Sequence, residues 1–307
     1  MKFKLAVPLN AAGEAEILFN AGASEFYCGL QTDEWIAKFG DHDSISRRQG
    51  AANLSSFEEL KKIISECSAL DAPLFLTLNG GYTNEQLPHV YETAEKFEAA
   101  GGTGVMAADL SLLIFLQKTE SKLMRGLSLM AAAGSAGALG FYKNLGVQRV
   151  VFPRFLPAKQ IKTIMEKYPE ITGESLVWLD MCRFIDGYCR FLHTTGYVDA
   201  RGGDFGCLNE VYSYDTNYRI PACFNFFGAP PKTPACGVCG MEILSDAGIR
   251  IFKMGGRGRP LETRLTGVKF INTAADLIDN AVKKKLYEET FGEACGKDAC
   301  YCAQRND

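Results

Sequence analysis

The sequence has no long hydrophobic run and no excess of basic charge. None of its apolar stretches reaches the roughly 18 uninterrupted residues that a membrane helix requires, so we expect no membrane span. Its 33 Lys and Arg are set against 36 Asp and Glu, which gives a net charge of -3. This charge provides no broad basic field for coating nucleic acid, although a local basic patch would still be compatible with a nucleic-acid partner. Met1 to Lys4 lead directly into a predicted strand and not into a signal peptide, so we expect a cytoplasmic protein.

The sequence also lacks the usual motifs of hydrolases. It contains no His-Glu-x-x-His, no Gly-x-Ser-x-Gly and no evident pairing of a cysteine with one of its three histidines. A Cys-x3-Cys-x2-Cys run, which would leave one iron of a cluster open for radical chemistry on S-adenosylmethionine, is absent as well. One histidine, His193, follows Cys189 by four residues and could line a cluster or act as an acid or base.

Cysteine is the residue that the sequence has in unusual number. Eleven cysteines are not readily explained by disulfides in a cytoplasmic protein, because thiol buffers keep them reduced, so metal or redox chemistry is the leading interpretation. We interpret Cys28 and Cys67 as small buried hydrophobic residues. Most of the others fall in one segment, which contains Cys182, Cys189, Cys207, Cys223, Cys236 and Cys239.

The spacing of these six cysteines favours a 4Fe-4S cluster over zinc. The cluster needs four soft thiolates, and neighbouring glycines let backbone N–H groups turn toward the sulfurs. Zinc is the alternative metal, but its usual signature is two short Cys-x2-4-Cys knuckles, and this segment has one, at Cys236 and Cys239. We therefore treat all six as candidate cofactor ligands.

A second group of cysteines lies in the C-terminal tail, residues 295–307. Cys295, Cys300 and Cys302 could contribute to a cluster or complete a ligand set on a partner chain. A frayed, redox-inert tail is the simpler interpretation.

Short apolar runs alternate with helical patterns along most of the chain. Eight strand-helix units of this kind predict a (β/α)8 barrel over residues 1–294, with an open doubly wound parallel sheet as the alternative. The predicted strands are 4–8, 25–29, 74–78, 104–108, 126–130, 149–153, 176–179 and 250–254. The predicted helices include 11–21, 56–70, 86–100, 110–117, 137–145 and 158–168.

One segment breaks this alternation. Residues 181–244 show no clear helical pattern and are rich in cysteine, glycine and aromatic residues, so we interpret them as an insertion between the seventh and eighth strands. Barrel enzymes carry their chemistry on the loops that follow the strands, which would place the insertion at the active end. The candidate catalytic residues are the polar groups predicted at that end, namely Asn79, Asp109, Arg154, Asp180, Lys253 and Arg257. Among them Arg154 and Arg257 are the best candidates for gripping an anionic substrate.

Several ordered motifs resemble the collagenase-like peptidase family U32. Residues 25–30 (EFYCGL) resemble its second-strand motif, Arg48 with residues 52–54 (ANL) the segment that follows, and residues 76–79 (LTLN) its third-strand asparagine motif. Further matches are residues 104–109 (GVMAAD), 145–154 (LGVQRVVFPR) and 253–257 (KMGGR). Two positions depart from the family pattern, since Phe155 and Gly255 stand where the family has glutamates.

The resemblance implies an iron-sulfur protein that acts in oxygen-independent hydroxylation, in ubiquinone synthesis or on RNA bases, with prephenate as hydroxyl donor in some branches. By the same resemblance Cys182, Cys189 and Cys207 are cluster ligands. For the fourth ligand the resemblance leaves Cys223, Cys236 and Cys239 open, and we choose Cys239. The C-terminal domain of the RNA-modifying members is not found in this sequence, so the substrate does not follow from the resemblance.

Three functional hypotheses follow. The first is a cluster-bearing redox or hydroxylation enzyme with a small-molecule or nucleobase substrate and a prephenate-like donor. The second is a U32-type peptidase, which would need a catalytic site of an unrecognised kind. The third is a non-catalytic subunit whose cluster stabilises the insertion and docks a homologous U32-family chain or a second copy of itself.

Overall fold

The structure is a computed structural model that describes residues 3–40, 44–48, 50–179, 187, 211–212, 219–220, 234–295 and 300. Eight parallel strands form a closed ring in the order β1-β10-β7-β6-β5-β4-β3-β2. They are β1 (Lys4–Pro8), β2 (Glu25–Cys28), β3 (Leu74–Leu78), β4 (Gly104–Ala107), β5 (Met124–Leu127), β6 (Val147–Val151), β7 (Thr172–Trp178) and β10 (Ile249–Met254). The predicted (β/α)8 barrel is confirmed, and because β1 pairs with both β2 and β10, the open-sheet alternative is wrong.

Ten α-helices are described around this ring. They are α1 (Ala15–Asn20), α2 (Asp33–Phe39), α3 (Phe57–Ala69), α4 (Leu87–Ala99), α5 (Leu110–Lys118), α6 (Ala136–Asn144), α7 (Ala158–Lys167), α8 (Met241–Asp246), α9 (Leu261–Ala275) and α10 (Asn280–Phe291). In the part of the chain that the structure describes, no helix combines the length and the apolar character needed to cross a bilayer. In the insertion, β8 (Val211–Tyr212) and β9 (Arg219–Ile220) form a separate antiparallel pair.

The elements begin and end where local chemistry dictates. The Ser56 side chain accepts a hydrogen bond from the backbone N–H of Glu59 and so caps α3, as its position before an apolar helical pattern predicts. The fifth strand ends at Leu127, earlier than predicted, because the Ser128 hydroxyl accepts from the Met130 N–H and starts a 3-10 turn. Residue 128 thus leaves the barrel instead of continuing a strand.

The barrel interior is crossed by a chain of ion pairs. Arg149 on β6 contacts the carboxylate of Glu25 on β2, which lies diametrically opposite in the ring, and its Nε donates to Glu174 on β7 at 2.5 Å. Lys253 on β10 lies 3.0 Å from the second oxygen of Glu174. Two acids and two bases therefore balance in charge inside the barrel. A separate cluster of buried apolar residues, Tyr27, Phe75, Met106, Val151 and Leu176, accompanies them, and the Arg149 guanidinium lies 4.5 Å from the centre of the Phe75 ring.

Burial and charge act in opposite directions within this network. Burial raises the pKa of Glu25, and Arg149 offsets that rise in part. Burial would raise the pKa of Glu174 too, but Arg149 and Lys253 together outweigh it and leave the pKa of Glu174 lowered. Glu174 is therefore the anion around which both cations are held.

An aromatic cluster attaches the last helices to the barrel. Trp178, at the end of β7, is fully buried and packs against Phe270 of α9 and against Tyr287 and Phe291 of α10. Gly267 makes this contact possible, because a Cβ atom at that position would lie 2.6 Å from the indole nitrogen. The C-terminal helix is thus fixed beside the strand that leads into the insertion.

We predict that Arg149→Met destabilises the fold strongly, because it leaves two glutamates buried without their shared cation. The free energy of unfolding, measured by urea denaturation, should fall by about 3–5 kcal/mol, as expected for breaking a buried ion pair. The matched control is Lys143→Met, which breaks an exposed pair with Glu170 and should change the free energy of unfolding far less, because solvent screens exposed charges. Equal losses in the two variants would contradict a structural role for the network.

Candidate active site at the barrel mouth

The carboxyl ends of the parallel strands meet at one end of the barrel, which we call the mouth. Asn79 follows β3, Asp109 follows β4, Arg154 follows β6 and Arg257 follows β10, so the predicted polar residues are placed around this end. Lys253 lies within β10 and reaches the interior network below the mouth. Asp180, the remaining candidate, lies outside the described residues.

Asp109 is a helix cap. One oxygen of its side chain accepts hydrogen bonds from the backbone N–H groups of Ser111 and Leu112 at 2.8 and 3.2 Å, at the start of α5. The other accepts a long bond of 3.4 Å from the Tyr82 N–H. With these oxygens engaged, the geometry supports a structural role more than a catalytic one.

Arg257 joins β3 to the segment of residues 44–48 by hydrogen bonds. Its Nη1 donates to the hydroxyls of Ser46 and Thr77 at 2.9 and 2.8 Å, and its Nη2 donates to the Ser46 carbonyl at 2.9 Å. The side chain is 5% exposed. These contacts hold residues 44–48 against the barrel, so the guanidinium positions the rim of the mouth.

The motif residues Gly29 and Asn53 belong to the same assembly. A Cβ atom at Gly29 would lie 2.2 Å from the Asn53 side chain and 2.5 Å from the Arg257 guanidinium, so the position requires glycine. Asn53 in turn contacts the Ser46 hydroxyl and donates to the Gln31 side chain at 3.2 Å. Three motifs that are distant in sequence therefore build one corner of the mouth.

Lys253 connects the mouth to the interior network. Its ammonium lies 3.9 Å from the centre of the Tyr27 ring in addition to its contact with Glu174. Burial lowers the pKa of Lys253, and Glu174 opposes that shift. The lysine is 9% exposed, and Arg154 is equally buried at the end of β6.

Asn79 has an unused acceptor. Its amide nitrogen donates to the Ser128 hydroxyl at 3.2 Å, while its carbonyl oxygen is buried and has no hydrogen-bond partner within the described structure. A buried acceptor without a partner costs free energy, so a donor from a bound molecule would be favoured there. Ser128 was not among the predicted site residues; its position directly after a strand was the available signal.

The insertion starts and ends at the mouth. The Leu179 N–H donates to the Ala235 carbonyl at 2.9 Å, and the Gly237 N–H donates to the Val177 carbonyl at 2.7 Å. The chain thus returns to the barrel by Pro234, before the predicted end of the insertion at residue 244, and α8 begins at Met241. Four candidate ligands, Cys182, Cys189, Cys207 and Cys223, lie outside the described residues.

Gly187 places part of the insertion at the mouth. It lies between Cys182 and Cys189 in sequence, and a Cβ atom on it would be 2.7 Å from both the Met130 carbonyl oxygen and the Ala132 side chain. Met130 and Ala132 follow directly after Ser128, the partner of Asn79. Residue 187 therefore lies on the rim of the mouth.

The remaining candidate cysteines lie beside the tail. The backbone of Cys236 forms isolated β-bridges with Trp178 and with Cys300. The tail is therefore held at Cys300 and is not frayed there. The thiol of Cys295 forms hydrogen bonds with those of Cys236 and Cys300, and these contacts, with burial, raise the pKa of Cys295. Within the described ranges, no three or more Cys, His, Asp or Glu side chains are already arranged to hold a metal ion.

Comparisons with known proteins give one family. The sequence profile of peptidase family U32 matches residues 11–305. The chain is 22% identical over 167 residues to tRNA hydroxylation protein P of Escherichia coli strain K12, a match that covers 54% of the chain and 36% of that protein. It is 24% identical to the protein of the same name from Helicobacter pylori strain J99, over 92% of the chain and 61% of that protein. The chain therefore spans only part of these relatives.

Two further relatives carry the word collagenase or peptidase in their names. The chain is 21% identical over 309 residues to a collagenase of Porphyromonas gingivalis strain W83, which covers 96% of the chain and 69% of that protein. The solved structure of the U32 peptidase Mk0906 superposes with a TM-score of 0.52 at 12% identity, over 85% of this chain and 95% of that one. At that identity the structural likeness supports the barrel fold and nothing further.

We predict that Gly187→Ala displaces residue 187 from the rim of the mouth. Alanine would meet the Met130 carbonyl and would also have to adopt the left-handed φ of 85°. Hydrogen exchange of the backbone amides in residues 129–132 should become faster. The control is Gly137→Ala in α6, where a Cβ atom meets nothing closer than 4.0 Å. Unchanged exchange in both variants would refute the packing of Gly187 on the rim.

Proposed function

Because the chain belongs to peptidase family U32, we propose that it is an iron-sulfur protein that carries out an oxygen-independent hydroxylation. The observation that carries the proposal is the position of Gly187, between two candidate cluster ligands, on the rim of the mouth. That rim presents the unused acceptor of Asn79 beside Ser128. A cluster and a substrate group would therefore share one end of the barrel.

The donor set suits a 4Fe-4S cluster. The proposed ligands are Cys182, Cys189 and Cys207 with a fourth cysteine, for which the sequence offers Cys223, Cys236 and Cys239. Thiolates are the soft ligands that such clusters take, and both ends of the insertion are held at the mouth by backbone hydrogen bonds. A bound cluster would supply electron transfer or a binding point for the oxygen donor.

The substrate proposed here is an RNA base or a related small molecule. Two relatives are named tRNA hydroxylation proteins, and hydroxylation replaces a C–H bond by C–OH, which oxidises the substrate by two electrons. An organic hydroxyl donor of the prephenate type would give up its hydroxyl group, take up the hydrogen and be reduced by the same two electrons. The chain's own contributions are hydrogen bonding by Asn79 and binding of an anionic group by Arg154.

A peptidase is the second candidate, favoured by the match to the collagenase over nearly the whole chain. The described residues give it little support. The one histidine they include, His89, lies 2.9 Å from the Lys38 ammonium and packs on Phe39 at the outer helices. Casein or collagen hydrolysis by the cluster-free protein would favour this candidate, whereas co-purification with a homologous chain would favour a subunit role.

We predict that the protein is coloured and binds iron and sulfide when purified without oxygen. Cys182→Ser and Cys189→Ser should each abolish the visible absorbance and remove most of the iron, because a cluster needs four thiolates. The matched control is Cys67→Ser, at a buried helical thiol of the outer core, which should keep its iron. A colourless protein without iron would refute the cluster.

A second prediction tests the substrate. Produced without oxygen in cells that lack their own tRNA hydroxylation proteins, the chain should add one oxygen atom to a tRNA nucleoside, as measured by mass spectrometry. Asn79→Ala should reduce that product roughly tenfold, the effect of losing about one hydrogen bond, while the iron content stays unchanged. The control is Asn144→Ala, at the exposed end of α6. An unmodified tRNA pool would exclude tRNA and leave the small-molecule substrate.

A further inference from the structure

The chain contains a second set of four cysteines with a different spacing from that of the insertion. Cys236 and Cys239 are separated by two residues, and Cys295 and Cys300 by four. Two short knuckles of this kind are the usual signature of a structural zinc site. They lie more than fifty residues apart in sequence, so only the fold can decide whether they meet.

The fold brings the two knuckles together through the last helix. The Tyr287 hydroxyl of α10 donates to the Pro234 carbonyl at 2.6 Å, just before the first knuckle. The helix ends at Phe291, which packs on Trp178, and Gly292 in the left-handed conformation (φ 75°) turns the chain back. Cys295 follows this turn and packs against the core.

Three of the four cysteines are in contact with one another, and Cys239 follows Cys236 by three positions in the same turn. Cys236 and Cys300 pair through a backbone bridge, and the Cys295 thiol bonds to the thiols of both. All of the described cysteines are free, so no disulfide accounts for the gathering. Four thiolates at about 2.3 Å from a zinc ion lie about 3.8 Å from one another, which is close to the separation of thiols in contact.

We propose that Cys236, Cys239, Cys295 and Cys300 are the four ligands of a structural zinc ion that ties the C-terminal tail to the end of β7. The thiols are gathered without yet forming a complete ligand set, so binding includes rotation of their side chains and release of their protons. If these four cysteines bind zinc, they are not ligands of the iron-sulfur cluster. Cys223 is then the fourth cluster ligand, beside the three already proposed. This inference does not depend on the proposed hydroxylation.

The test is the metal content of the full chain purified without oxygen. We expect one zinc ion per chain in addition to any iron. The double variant Cys295→Ser/Cys300→Ser should lose the zinc and keep the iron, whereas the matched double variant Cys28→Ala/Cys67→Ala should keep both. Iron lost together with the tail cysteines would overturn the proposal, because these residues would then serve the cluster. Zinc without iron in the unmodified chain would refute the proposed function and leave this site standing.

A second measurement uses the unmodified chain, so that it does not depend on the folding of a variant. Alkylation of the four cysteines, followed by peptide mass spectrometry, should be slow and should become fast after a zinc chelator is added. Rapid alkylation before chelation, or a disulfide between any two of the four, would overturn the proposal.

Discussion

The ion-pair chain across the barrel interior is the constraint on which the rest of the structure depends. Arg149 can reach Glu25 only if opposite sides of the ring face each other at the distance that a closed eight-stranded barrel provides. Glu174 then holds Arg149 and Lys253 together, so the charges cancel inside a medium that would otherwise exclude them. This network of four charged side chains joins β2, β6, β7 and β10 inside the barrel.

The polar residues at the mouth differ in how far their hydrogen-bonding groups are used within the protein. Arg257 and Asp109 look catalytic in sequence, yet their hydrogen bonds are directed to Ser46, Thr77 and a helix end. Asn79 is different, because its buried carbonyl oxygen accepts no hydrogen bond from the described residues. The family motifs therefore mark the architecture of the mouth as much as its chemistry.

The sequence predicted the barrel well because its signal is local. Each strand is a short apolar run between turns, and the observed strands lie within a few residues of the predicted ones. The small helix α2 was missed because its capping threonine, Thr32, precedes a segment with little apolar periodicity, and Trp35 is buried mainly by tertiary contacts. The role of Arg257 could not be predicted, since its partners Thr77 and Ser46 lie 180 and 211 residues away in sequence. The contacts of Cys295 and Cys300 with Cys236 were also unpredictable, because no sequence pattern links the tail to residue 236.

The paired hydrogen bonds between Leu179 and Ala235 and between Val177 and Gly237 have an evolutionary consequence. They bring the two ends of the insertion side by side. The distance between the ends is therefore fixed by the barrel, whatever the length of the residues between them. Doubling the length of such a loop costs only about 0.6 kcal/mol of closure entropy. A lineage could therefore exchange or lengthen the segment between residues 179 and 235 while inheriting the same barrel.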